Sequence, residues 1–296
     1  MRRPACQNPH VPKSAPTPAD ASAGAPSPVR YRVFSAAGNR FALLDTHPPE
    51  VSGRARLARL LCGARSARLA FDGVLFVEPP SEGGDCRMVL HNADGSRAEA
   101  CGNGLRCVAL SARLTGLVTG ARVRVETDRG LRAVELTLPA GLTAWARAAM
   151  GAGRVVERRA EFALEDGPLW ATLVDMGNPH CVVEVPDIAA VDLPRIGAAL
   201  EFHSRFPAGT NVEFAMRVGA GLSMRVWERG VGETGACGTG ACAVALALAG
   251  EQATEFEVEV ASPGGTLTVE RDAGGELWLT GPCEALELVE YQEARQ

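Results

Sequence analysis

The 296-residue sequence predicts an α+β protein of two related halves, each wrapping strands around a helix headed by a cysteine. Three observations lead there. A motif occurs twice: Cys101-Gly102-Asn103-Gly104 precedes Val108-Ala109-Leu110, and Cys237-Gly238-Thr239-Gly240 precedes Val244-Ala245-Leu246, at the same offset from the cysteine. Short β-branched or alternating runs outnumber helical stretches along the chain. In Glu255-Phe256-Glu257-Val258-Glu259-Val260 acids alternate with apolar residues, wetting one face and burying the other, as in an antiparallel strand. The sheets are therefore expected to be mixed or antiparallel.

Taken in order, residues 1–29 hold seven prolines, six alanines and hardly any large apolar group. Such a composition cannot offset the entropy of ordering, so the segment reads as a disordered extension. Strands are expected at Tyr31–Phe34, Val74–Val77, Val123–Glu126, Val134–Leu138, Leu169–Val174 and Val182–Val185, then at Ser223–Trp227, Phe256–Val260, Leu267–Val269 and Leu277–Leu279. Gly, Pro and Asp turn signals separate them. Helical periodicity appears at Ala55–Cys62, Leu105–Leu114, Leu193–Leu200 and Ala241–Ala249, and the two strongest of these follow the two cysteines. The boundary between halves is expected near Met150, with a ligand cleft between them.

Composition excludes several classes of function. Hydrophobic content of 46% and charged content of 22% belong to an ordinary globular chain. Arg2, Arg3, Lys13 and Arg30 against Asp20 leave −8 of the net −5 on the remaining residues, a poor surface for nucleic acid. No apolar run approaches the roughly 20 residues of a membrane helix, and the first 30 residues lack a secretory h-region, so a cytoplasmic location and no membrane partner are expected. Nine cysteines, an odd number spread along the chain, point to reduced thiols. The single lysine, Lys13, lies in the Pro/Ala-rich segment, which argues against a pyridoxal-phosphate Schiff base. With no Cys-x2-Cys pair and five scattered histidines, no metal site is expected either. Gly230-Val231-Gly232-Glu233-Thr234-Gly235 matches a dinucleotide fingerprint, but no βαβ series surrounds it; it reads as the turn that delivers Cys237.

The remaining residues support proton chemistry at a carbon. Removing an α-proton from an amino acid and returning one on the opposite face needs a base on one side and an acid on the other. Cysteine, with a reference pKa of about 8.5, suits both roles after modest tuning. Cys101 and Cys237 each start a helix, where free backbone N–H groups and the dipole favour a thiolate. The amides of Gly102-Asn103 and Gly238-Thr239 are placed to stabilise charge flowing onto the substrate carboxylate. Cys6, Cys62, Cys86, Cys107, Cys181, Cys242 and Cys283 read as small buried hydrophobes.

The segment Asn92-Ala93-Asp94-Gly95-Ser96 through Glu99-Ala100-Cys101-Gly102-Asn103-Gly104-Leu105-Arg106-Cys107 closely resembles the first signature of diaminopimelate epimerases. Glu228-Arg229-Gly230, Gly232-Glu233-Thr234 and Ala236-Cys237-Gly238-Thr239-Gly240-Ala241-Cys242-Ala243 resemble the second. Met176-Gly177-Asn178-Pro179-His180-Cys181-Val182, Thr210-Asn211-Val212 and Pro263-Gly264-Gly265 add to a likeness spanning about residues 31 to 282. It implies cofactor-independent interconversion of LL- and meso-2,6-diaminopimelate, a step toward lysine and peptidoglycan cross-links. It also implies that family's fold: two pseudo-symmetric domains, each a mixed or antiparallel strand barrel around a central helix, often as a homodimer. On that division residues 30–149 and 150–282 form the two domains, and 283–296 complete the first.

By motif position, Cys101 and Cys237 are the base and acid. Asn92, Asn178, Asn211 and Arg229 hold the distal amino-acid end, while Glu228 and His180 lie near the thiols and tune them. This agrees with the physical reading, because a guanidinium grips a carboxylate bidentately and asparagine amides serve both ends of a zwitterion. The likeness is weakest at the start. Where the family reads Phe-x-Lys-Met-x-Gly-x-Gly-Asn-Asp-Phe, this chain has the shorter Phe34-Ser35-Ala36-Ala37-Gly38-Asn39-Arg40-Phe41. Asn39 survives as a substrate contact, and the shortening is expected to affect preference or rate. Racemases of the same fold acting on proline, hydroxyproline or histidine are the alternative within the enzyme class, and a binding protein that lost the chemistry is the alternative outside it.

Overall fold

The structure, a computed structural model, describes residues 28–45, 51–63, 70–98, 101–165, 167–249 and 253–291. Nearly all of the expected extension therefore lies outside the described residues. The first half runs β1 (Val29–Ala36), β2 (Asn39–Leu44), α1 (Val51–Gly63), β3 (Gly73–Glu78), β4 (Cys86–Asn92), β5 (Arg97–Ala98), α2 (Gly102–Leu114), β6 (Arg122–Thr127), β7 (Gly130–Ala140) and β8 (Thr143–Gly151). After β9 (Arg154–Leu164) the second half repeats the order: β10 (Gly167–Asp175), β11 (Pro179–Glu184), α3 (Leu193–Glu201), β12 (Asn211–Val218), β13 (Gly221–Glu228), β14 (Gly232–Thr234), α4 (Gly238–Leu248), β15 (Phe256–Ser262), β16 (Gly265–Arg271) and β17 (Leu277–Tyr291).

The pairing repeats strand for strand. β1–β2 and β10–β11 are antiparallel, β2–β3 and β11–β12 parallel, and β3–β4 and β12–β13 antiparallel. β4 then pairs β5 antiparallel and β6 parallel, as β13 pairs β14 and β15. The sheet is thus mixed, and the repeated motif is the sequence trace of a repeated topology. The halves are stitched together twice. β8 and β17 pair antiparallel across the molecule, Trp278 opposite Ala149, and β17 then continues alongside β1 from Glu284 to Tyr291.

Both central helices are buried on every side: α2 from Gly102 to Ala112, and α4 throughout. The apolar length of α4 belongs inside a core, whereas α2 carries Asn103, Arg106 and Ser111 into it as well. A single apolar cluster contains both, joining Leu105 and Val108 to Val244 and Leu246. Small side chains make the wrapping tight. β8 turns Ala144, Ala146 and Ala148 inward, alternating with outward Thr143, Trp145 and Arg147, and packs against α2. Among the described residues no helix is long and apolar enough to cross a membrane.

The shortened first segment forms a tight hairpin. Ala36 pairs with Asn39 across a turn in which Ala37 (φ 45°) and Gly38 (φ 83°) both take left-handed backbone, as a two-residue primed turn requires. The turn rests on the opposite half: a Cβ on Gly264 would stand 2.6 Å from Ala37 O and 3.0 Å from Gly235 O. The shortened segment is therefore a clasp onto the glycine turn leading to Cys237. Gly264→Ala is expected to force these backbones apart, costing about 1–3 kcal/mol as overpacking does. Thermal unfolding should show a Tm lower by roughly 2–10 °C; an unchanged Tm would show the clasp to be yielding.

Candidate active site

Each cysteine caps its own helix. Cys101 has extended backbone (φ −154°, ψ 111°) and its Sγ accepts from Gly104 N at 3.3 Å; Cys237 (φ −127°, ψ 118°) accepts from Gly240 N at 3.4 Å. Sequence marks these residues because the N-cap is where a side-chain acceptor meets free amides. The helix N-termini abut. A Cβ on Gly238 would sit 3.4 Å from Gly102 Cα and 3.0 Å from Leu279 Cδ2, and a Cβ on Gly102 would meet that same Leu279 atom at 3.0 Å. Glycine at both positions lets two sets of amides converge on one place.

A cleft of about 790 Å³ opens there, lined by Asn92, Cys101, Asn178, Asn211, Glu228 and Arg229. An adjoining cavity of about 410 Å³ shares Cys101 and reaches Gly102 and Thr239. Asn92 ends β4, its Nδ2 donating to Ser96 Oγ at 3.0 Å. Asn211 starts β12 and holds two loops: Nδ2 donates to Pro179 O at 3.0 Å, and Oδ1 accepts from Arg229 N at 3.0 Å. Asn178 is tied to His180 Nε2 through its Oδ1 at 3.2 Å. Cys237, Gly238, His180, Asn39 and Asn103 do not line either cavity; Cys237 is buried, and Asn103 donates to Asn39 Oδ1 at 2.5 Å.

One expectation is corrected: the helix termini do not bring the thiol pKa values down. Gly104 N–H favours the thiolate, but burial dominates and pushes Cys101 up to about 11, with Glu228 adding to the rise. Burial, then the carboxylates of Glu228 and Glu213, hold Cys237 well above its ordinary value. His180, expected to lie near the thiols and tune them, bonds Glu213 Oε1 through Nδ1 at 2.7 Å, and Glu213 is among the groups that act on Cys237. That carboxylate is the group beside α4: a Cβ on Gly240 would lie 2.8 Å from Glu213 Oε1. Glu228 does face Cys237, and burial raises its carboxyl, opposed by hydrogen bonds from Thr234 and Cys237.

Sequence reasoning missed three residues. Glu213 shares a strand face with Asn211 by the period of two, the signal that points to it. Glu201, the last residue of α3, accepts from Trp227 Nε1 at 2.7 Å and Gly230 N at 2.8 Å, fixing the turn that carries Arg229. Arg106 lies inside the first motif but was given no role. Gly230, in the β13–β14 turn, and Gly232, the first residue of β14, both have positive φ and close a hairpin rather than a phosphate loop.

The diaminopimelate epimerase family model matches residues 32–156 and 172–286. The chain belongs to the diaminopimelate epimerase family. It is 43% identical over 244 residues to a diaminopimelate epimerase of Desulforudis audaxviator, covering 77% of this chain and 86% of that one. With that of Desulfitobacterium hafniense it shares 38% over 262 residues, covering 83% and 92%. Members of the family are isomerases. In fold the chain is similar to a hydroxyproline epimerase from Agrobacterium vitis with bound trans-4-hydroxy-L-proline (TM-score 0.72, 17% identity, covering 90% and 93%). It is also similar to a PhzF-family phenazine biosynthesis protein of Bacillus anthracis (TM-score 0.67, 16% identity, covering 89% and 98%). Such low identities carry the fold and leave substrate to the cleft.

Proposed function

We propose that the chain interconverts LL- and meso-2,6-diaminopimelate without a cofactor, Cys101 and Cys237 serving as a two-base pair. The observation that supports this reading is the abutment of two cysteine-capped helix N-termini beside a cleft lined by Cys101, Asn92, Asn178, Asn211 and Arg229. The thiolate on one side takes the α-proton, leaving an electron pair that delocalises onto the α-carboxylate. Amides at Gly102-Asn103 and Gly238-Thr239 stabilise that charge, and the thiol opposite delivers its proton to the other face. The thiols exchange protonation states with each turnover, so both directions use one site. Arg229 and the three asparagines fit a second amino-acid head group that proline or hydroxyproline lacks, which sets the related racemases second.

The test is incubation with LL-diaminopimelate in deuterated water without added cofactor. The expected result is deuterium at the reacting α-carbon together with approach to the LL/meso equilibrium. Absence of exchange by folded, reduced protein, with exchange into proline or histidine instead, would overturn the assignment.

A further inference from the structure

Arg106, in the first turns of α2, is the largest of the fully buried side chains, with 0% exposure. Its charge has no carboxylate partner: Nη2 donates to Asn103 Oδ1 at 2.7 Å, while Nε and Nη1 have no partner among the described residues. The thiols of Cys107, Cys283, Cys101 and Cys242 act on its charge, and its head group lies against the bare backbone of Gly281, where a Cβ would be 3.4 Å from Nη2. A guanidinium stays cationic even when burial opposes it, and an unpaired buried cation is costly. A chain that keeps one beside a thiol has a use for positive charge there.

The hydrogen bonds have a direction as well. A guanidinium only donates, so Asn103 must turn Oδ1 toward Arg106. Its Nδ2 then faces Asn39 and donates to Asn39 Oδ1 at 2.5 Å. Asn39 is left with N–H groups to offer, the polarity that suits a carboxylate. We propose that Arg106 is a positioning residue for the thiol chemistry: it stands behind Cys101 as counter-charge to the thiolate and sets the direction of the Asn103–Asn39 amide pair.

The proposal separates the two thiols. Beside burial, the groups that act on Cys101 are the Gly104 amide, which favours the thiolate, Glu228, which opposes it, and Arg106 and the Asn103 amide, which favour it. Those that act most strongly on Cys237 beside burial are Glu228 and Glu213, which oppose the thiolate, and Thr239 and Gly240, which favour it; Arg106 does not rank with them. Removing the guanidinium should therefore affect one cysteine and spare the other.

The purpose of the thiolate rests on the proposed function, but its ease of formation does not, so the test uses no substrate. Full-length protein is alkylated with iodoacetamide across a pH series, and the Cys101 and Cys237 peptides are quantified by mass spectrometry. In R106Q the Cys101 rate at pH 8 should fall about 3–10-fold, as a half- to one-unit shift implies, with Cys237 within twofold of the parent. R106K, which keeps the charge, should restore Cys101. Should R106Q fail to fold, N103D carries the test by placing a carboxylate on the guanidinium without opening a cavity, and it should slow Cys101 likewise. A folded R106Q or N103D with an unchanged Cys101 profile overturns the proposal, as does an equal shift of both thiols. A Cys101-specific shift in a protein inactive on diaminopimelate would uphold Arg106 while removing the substrate assignment.

Discussion

Cys101→Ala and Cys237→Ala should each abolish epimerisation, with losses of at least roughly the 10²–10⁴-fold that a positioned acid or base contributes. The two variants should not fail alike. Each retains a thiol on one face of the α-carbon, and that thiol can still remove and return the proton it faces. One variant should therefore exchange α-deuterium into the stereoisomer with its reacting proton on that side, without inversion, and the other variant into the opposite stereoisomer. The fold should survive. The cysteines are N-caps with weak sulfur bonds of 3.3 and 3.4 Å, so removing either costs no more than about the 1 kcal/mol of a lost cap. Serine variants, which restore a good cap but present a hydroxyl too weakly acidic to serve, should be folded and inactive. Substrate-dependent deuterium uptake followed by NMR reads the outcome. Full epimerisation in either alanine variant would remove that cysteine from the mechanism.

Much of this arrangement is legible in the sequence because two physical signals are local. Glycine-rich segments headed by cysteine must begin helices, and α2 and α4 start where the repeat predicts, at Gly102 and Gly238. Alternating runs such as Phe256 to Val260 mark strands whose two faces differ in wetting. Other strands are silent for a stated reason. β8 is written in alanine because α2 packs against it, and helical propensity hides a strand chosen for small size. β9 exposes Arg154, Glu157, Arg158 and Arg159, so it carries no apolar period. At the site the deficit is long-range. Asn92, Asn178, Asn211 and Arg229 are identified by motif, whereas Glu213 and Arg106 acquire meaning only once β12 and β17 close around the helices. The direction of the thiol pKa shift is of the same kind. Helix-terminal amides are a local favour to the thiolate, and burial, which sequence does not show, outweighs them.

That burial has a second, larger consequence, at alkaline pH. Cys86, Cys242 and Cys283 are buried thiols that take no part in the chemistry, and burial pushes each up to about 12, with nearby acids adding to it for Cys86 and Cys283, and Arg106 opposing it for Cys242 and Cys283. In the unfolded chain they ionise near the ordinary value of 9.0. The sign follows directly: a folded pKa above the unfolded one means that the folded state keeps protons the unfolded state releases. Stability from these thiols is complete below pH 9 and is lost as pH rises toward 12. Each thiol contributes a slope of about 1.4 kcal/mol per pH unit, so these three alone give roughly 4 kcal/mol per unit, and the raised thiols of Cys62, Cys101, Cys107, Cys181 and Cys237 add to it. Against a total stability of about 5–15 kcal/mol, that slope should unfold the protein cooperatively between about pH 10 and 12. Urea denaturation at pH 8, 9 and 10 should show the stability holding to pH 9 and then falling steeply. Cys86→Ala, Cys242→Ala and Cys283→Ala each lower the starting value by leaving a small cavity, yet each should flatten the pH slope by about 1.4 kcal/mol per unit, because one of the eight raised thiols among the described residues is gone. A slope that stays the same in all three variants would place the alkaline loss in other groups.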